Sequence, residues 1–343
     1  MSKKAFGTTS KGVEASLYEI SNGGGLRVLL TDYGATVVSI FVKDRDGNER
    51  DVILGYDNVK SYEKEYSYFG ATVGRYANRI SDAKINIDGV EYKLEANDNE
   101  NSLHSGSNGF SKRFWTVKEQ KADEITFEIE DADLEQGFPG NAVVDVTFKV
   151  TEENALAIIY NAKADKTTTF NMTNHSYFNL AGQGNIEQQI LTLNAPFITE
   201  TDDALIPTGH DLPVDGLPVD FRAGLRLGKG FARGSEYPMM VAKNGYDFNF
   251  TVAGSGMRCF GSLYDPQSGR VMHLCSTEPC VQVYSGQHMD FSGHHGAHYG
   301  CHSGLALETQ HHPDAIHHAA FPSVVLRANT SYETQTVYSF SVK

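Results

Sequence analysis

The chain has 343 residues and a net charge of −14, from 43 Asp plus Glu against 29 Lys plus Arg. That acidity argues against nucleic acid or an anionic membrane surface as a main partner, because both select basic patches. Hydrophobic residues at 40% and charged residues at 21% exclude disorder and supply a large core. No run of about 18 apolar residues is present, and residues 1–12 are polar, without the apolar stretch of a secretory signal. Cys259, Cys275, Cys280 and Cys301 are too few for a disulfide framework in a chain this long, so a reduced, cytoplasmic protein is expected.

Strand signals dominate from the start. Residues 26–31 and 36–42 are apolar-rich runs, and Asp46-Gly47 separates the second from another at 51–54. Positions 58–68 hold the one clear candidate for a short helix. Asp88-Gly89 lies between runs at 84–87 and 90–94, the pairing that supplies positive φ for a tight hairpin turn. Residues 142–150 alternate strictly, with Val144, Val146, Phe148 and Val150 on one face. After the polar break at 151–154 the period of two resumes with Leu156, Ile158 and Tyr160, which reads as a second hairpin. Further strands are expected at 124–129, 190–193, 281–284, 305–307 and 334–342. Asn22-Gly23-Gly24-Gly25 is a turn and not a phosphate cradle, since no helix follows it. No Pro/Ser linker or long-period repeat divides the chain. The expectation is all-β: one large antiparallel β-sandwich domain over 1–343 with very little helix.

Several polar clusters interrupt the strand pattern. Gly74-Arg75-Tyr76-Ala77-Asn78-Arg79-Ile80 offers two arginines and an amide, a donor set suited to a hydroxyl-rich ligand. His104 lies in the turn-like Leu103-His104-Ser105-Gly106. In Asn171–Leu180, a strand would place His175 on one face with Thr173 and Tyr177. Glu308 closes the apolar run Leu305-Ala306-Leu307, where a carboxylate is either a rim charge or a poised base. Asp247 sits among aromatics in Gly245–Phe250, and Gln282 with Tyr284 could form the floor of a sugar site.

Nine of the 13 histidines fall between 288 and 318. His294, His298 and His302 recur every four residues, which on a helix would align metal ligands. Gly293, Gly296, Gly300 and Gly304 break that stretch, so no functional metal site is expected there.

Taken in order, GATVGRYANRI at 70–80, LHSGSNGFSKRFW at 103–115, QGFPGN at 136–141, NMTNHSYFNL at 171–180, PVDFR at 218–222, GYDFNF at 245–250, VQVYSG at 281–286 and LALETQ at 305–310 resemble the galactose mutarotase (aldose 1-epimerase) family. The resemblance implies a β-supersandwich fold and cofactor-free interconversion of the α and β anomers of free hexoses. It places the family's catalytic base at Glu308 and its acid at His175. It assigns Asn78, Arg79, His104, Asp247 and Gln282 to sugar hydroxyls or the ring oxygen, and Tyr284 to the pocket lining. A free monosaccharide is the implied partner, for a monomer or weak homodimer with no metal, nucleic acid or membrane.

The chemistry of the residues agrees. Ring opening needs a proton taken from the C1 hydroxyl and another given to the ring oxygen. A carboxylate and an imidazolium on opposite sides of the hemiacetal do both, each worth roughly 10²–10⁴-fold. Other readings of the same residues are a non-catalytic sugar-binding module, a glycoside hydrolase using Asp247 with Glu308, and an epimerase of phosphorylated hexoses. The chain departs from the family pattern at Phe248, at Gln287-His288-Met289 and at His311-His312. Those departures are expected to touch the rim and C-terminal half of the pocket and so to affect which sugar is preferred.

Overall fold

The computed structural model describes residues 3–64 and 67–343. Nine strands form one antiparallel sheet in the order Thr116–Gln120, Glu124–Asp131, Ala142–Val150, Ala155–Ala164, Ser331–Val342, Arg270–Ser276, Arg258–Tyr264, Ile190–Leu193 and Leu225–Arg226. Six more form a second, in the order Tyr177–Phe178, Leu305–Gln310, Cys280–Tyr284, Asp247–Thr251, Phe197–Thr201 and Pro207–Pro213. A five-stranded N-terminal sheet runs from Lys3–Thr8 to Glu49–Asp51 and packs its Tyr18 edge-on against Phe127 of the large sheet.

Sequence alternation builds these sheets. Along Ala142–Val150 every second residue is buried, so one face is apolar and must be covered. Strands Glu14–Ser21 and Leu26–Thr31 of the N-terminal sheet lie against it, and the core they close is continuous with the inner face of the six-stranded sheet. Phe127, Phe148, Ile158 and Tyr338 share one core with Val281, Val283, Leu305, Leu307, Phe248 and Phe250. The Tyr338 hydroxyl crosses between the sheets and donates to the Leu307 carbonyl at 3.1 Å. Truncating Leu307 to Ala would cost about 2–5 kcal/mol, the usual range for a buried leucine. Because one face of the six-stranded sheet is committed to this core, its alternate residues face the other way. Those residues include Asp247, Gln282, Tyr284 and Glu308.

The Asp88-Gly89 hairpin forms as expected, with φ of 52° and 84° at its two turn residues. The strand expected at 305–307 continues to Gln310, so Glu308 lies inside a strand and not at its end. The helix expected over 58–68 covers only Val59–Lys64. Residues 65 and 66 lie outside the described residues, and Tyr68 has left the helical region altogether. Two short helices, Leu227–Ala232 and Pro238–Lys243, are additions to the expectation. Among the described residues no helix is long and apolar enough to cross a membrane. The four cysteines, expected to be reduced, include a pair that is joined: Cys259 and Cys275 oppose each other on neighbouring strands and form a disulfide, while Cys280 and Cys301 are free.

Candidate functional site

The floor of the site follows from strand register. Gln282 pairs with both Asn249 and Glu308, and Tyr284 pairs with both Asp247 and Ala306. Directly opposed residues in a sheet share a face, so the carboxylates of Asp247 and Glu308 and the amide of Gln282 lie on one surface. The Gln282 Nε2 donates to Asp247 Oδ1 at 2.6 Å. Tyr284 meets Tyr177 edge-on, with ring centroids 5.9 Å apart.

His175 does not sit within a continuous strand. Thr173–Asn174 pairs with Thr72–Val73, Tyr177–Phe178 pairs with Leu305–Ala306, and His175 hangs in the break between them. Its backbone is fixed on both sides: His175 N–H donates to the Ala71 carbonyl and Gly70 N–H donates to the His175 carbonyl, each at 3.0 Å. The imidazole Nε2 then lies 3.5 Å from Glu308 Oε1, with both side chains almost fully buried. His175 Nδ1 and Glu308 Oε2 are buried without a hydrogen-bond partner among the described residues.

His104 and Asn78 hold each other. His104 N–H donates to the Asn78 carbonyl at 3.0 Å, and Asn78 N–H donates to His104 Nδ1 at 3.1 Å. Both residues adopt left-handed φ, 64° at Asn78 and 51° at His104. Arg79 Nε donates to Asp98 at 2.7 Å. Asp98 is a site-supporting residue with no sequence signal, because its partner lies 19 positions away in the short strand Arg79–Ile80.

Burial sets the charge states. It pushes the Glu308 carboxyl well above its ordinary range, reinforced by the charge of Asp247 and opposed by Arg79. The same loss of water pushes His175 down to about 4. His104 is driven well below the ordinary histidine value by burial, then by His175 and Arg79. With Nδ1 accepting a backbone N–H, neutral His104 carries its proton on Nε2 and acts as a donor.

Ligand atoms of His104, His175 and Glu308 all lie within 4.8 Å of one another, close enough to consider a metal. Among the described residues the histidine run offers no such grouping. Its Gly-broken stretch forms two short strands, Phe291–Ser292 and His298–Tyr299. His294 bonds Asp57 and the Val38 carbonyl, His298 is exposed near Asp290, and His302 stacks on Phe231.

Two expectations are corrected. Arg75 is not a ligand donor: it is buried, with Nε 2.5 Å from Asp131 and the other nitrogens on the Pro139 and Gly140 carbonyls. Phe248 does not touch the pocket. It points to the opposite face from Asp247, is 1% exposed in the core and stacks with Tyr237. Gln287 is buried, accepting from the Ser285 hydroxyl at 2.9 Å. His311 bonds Glu278 and His312 bonds Cys280, both beyond Glu308 along the strand.

The fold and site together define a β-sandwich protein whose open sheet face buries a histidine–carboxylate pair among hydrogen-bonding side chains. A sequence profile described as aldose 1-epimerase matches residues 16–339, and the chain belongs to the aldose 1-epimerase family. It is 41% identical to galactose mutarotase of Bos taurus, covering 92% of each chain. Identity to galactose mutarotase of Homo sapiens is 39%, over 94% of this chain and 97% of that one. Aldose 1-epimerase of Escherichia coli K12 is 32% identical over 94% of each. Among solved structures, a GalM/aldose epimerase homologue from C. elegans superposes with a TM-score of 0.88 at 30% identity, covering 96% of this chain and 99% of that one.

Proposed function

We propose that this protein is an aldose 1-epimerase that interconverts the α and β anomers of free hexoses, galactose and glucose among them. The observation that carries the reading is the buried pair: His175 Nε2 stands 3.5 Å from Glu308 Oε1. The hemiacetal presents its hydroxyl and its ring oxygen on the same carbon. The acid and the base stand side by side and not on opposite sides of the hemiacetal as expected, and from there reach both oxygens at once.

In the working form Glu308 is the carboxylate and His175 the imidazolium. Glu308 takes the C1 hydroxyl proton while His175 gives its proton to the ring oxygen, and the C1–O bond to the ring opens. Rotation about C1–C2 turns the other aldehyde face towards the ring hydroxyl. On reclosure the roles reverse: His175 recovers its proton and Glu308 returns the other. His104 Nε2–H, Asn78, Arg79, Asp247 and Gln282 hold hydroxyls, and Tyr284 lines the pocket. Because the open-chain barrier is already modest, positioning and proton transfer suffice.

The site suits a neutral sugar better than a phosphorylated one. The Arg79 guanidinium is engaged by Asp98, and the carboxyls of Asp247 and Glu308 share the same floor. The test is polarimetry of freshly dissolved α-D-galactose and α-D-glucose with catalytic protein. Accelerated decay of rotation is expected for both. Binding without acceleration would make this a sugar-binding module instead.

A further inference from the structure

Tyr68 is a bulky residue with φ of 56°, a backbone conformation that persists only where the surroundings over-determine it. Those surroundings are the turn 68–71. The Tyr68 carbonyl accepts the Ala71 N–H at 3.0 Å. Gly70, at φ 63°, lies so close to the Val37 carbonyl that a Cβ there would collide with it. This is the same turn whose Gly70 and Ala71 hold the backbone of His175 on both sides. The Tyr68 ring stands over the site, its centroid 4.7 Å from His104 and 5.8 Å from His175, nearly parallel to the latter at 21°. Tyr177 flanks His175 as well, at 4.9 Å and 31°.

We propose that Tyr68 is a positioning residue for anomer interconversion, its ring holding the His175 imidazole in the orientation that faces Glu308. The inference rests on the acid role proposed for His175. Strained backbone, turn and ring then form one device: the turn fixes the main chain of His175 and the ring fixes its side chain. Among the described residues no side chain bonds Nδ1 of His175, so the faces of Tyr68 and Tyr177 are what flank the imidazole.

Three variants test it. Tyr68→Phe keeps the ring face and is expected to retain wild-type kcat. Tyr68→Gly removes the ring and relaxes the backbone, so the fold is kept, and kcat is expected to fall by about 10-fold or more, as small misplacements do. KM should change less than kcat, because the substrate contacts are made by other residues. Tyr68→Gly placed on His175→Gln should add no further loss in kcat. Wild-type kcat in Tyr68→Gly, a fall in Tyr68→Phe as deep as in Tyr68→Gly, or additive losses in the double variant would each overturn the proposal. Near-normal turnover in His175→Gln alone would instead sink the acid assignment, a result distinct from an active Tyr68→Gly.

Discussion

The backbone N–H of Asn78 donates to Nδ1 of His104, and this one bond decides between two chemistries for the site. A metal-ligating histidine donates its second ring N–H to an acceptor. His104 has the opposite wiring, so a metal on Nε2 would have to break the bond to Asn78 or strip the ring of its one remaining proton. His104, His175 and Glu308 are therefore read as hydrogen-bonding and proton-transfer groups. Dialysis against EDTA is expected to leave the mutarotation rate unchanged. Activity lost on chelation and restored by zinc would contradict this.

Removing either proton-transfer group should silence chemistry while sparing binding. Glu308→Gln keeps size and hydrogen bonding but loses basicity, and His175→Gln loses the transferable proton. Each is expected to lower kcat by at least about 10²-fold, with calorimetric galactose affinity changed far less. The double variant should be little worse than either single one, because the two groups act in one step. Two single variants with near-normal rates would remove the acid–base assignment.

The pH profile should betray the inverted order of the pair. Burial lowers His175 to about 4 and raises Glu308. The neutral resting pair and the ionic working pair hold the same single proton, so pH does not separate them, and the two apparent constants belong to the pair. Activity is expected to fall on the acid side near pH 4, where a second proton binds. On the alkaline side it should fall at a pH well above the ordinary carboxylate value, where the last proton leaves. A profile that rises through the carboxylate range and then stays level would fit a lone carboxylate base instead.

Stability should run against activity at Glu308. Its folded pKa is raised, so below the unfolded carboxylate value, about 4.3, both states hold the proton and folding is not penalised. Above that value the unfolded state ionises freely while the folded state resists, and the penalty grows until the pH passes the folded pKa. Each unit of upward shift is worth about 1.4 kcal/mol. Glu308→Gln is therefore expected to melt at a higher temperature than wild type at pH 8, with the gap closing towards pH 4. Equal melting temperatures across that range would mean that the carboxyl is not destabilised by its burial.

The antiparallel β-sandwich was legible because alternation is a local property: Val144, Val146 and Phe148 announce a half-buried strand without reference to anything distant. The segments that escaped notice, such as Phe197–Thr201 and Arg258–Tyr264, have no strict alternation, and the pairing of each is interrupted by a register shift, between Thr199 and Thr201 and between Cys259 and Gly261. Glu308, His175, His104, Asn78, Arg79, Asp247, Gln282 and Tyr284 each read singly as an ordinary strand or loop residue, and only the resemblance of their motifs to the family grouped them as a site.

What the sequence by itself determined is the list of polar interruptions and the strand period that gives each a face. What only the tertiary structure decided is which of them meet. Arg75 and Arg79 are four residues apart in one motif, yet Asp131, 56 positions beyond Arg75, draws it into the core, while Asp98 holds Arg79 beside the site. Asp247 and Phe248 are neighbours, and register sends one to the site and the other to the core. Cys259 finds Cys275 through strand pairing, and Tyr68 reaches His175 through a turn that sequence reads as the end of a helix. In each case the deciding partner is remote along the chain. Local pattern records which face a side chain takes, and only the closed fold, where burial removes water and leaves each polar group the partners it has, determines what that side chain does.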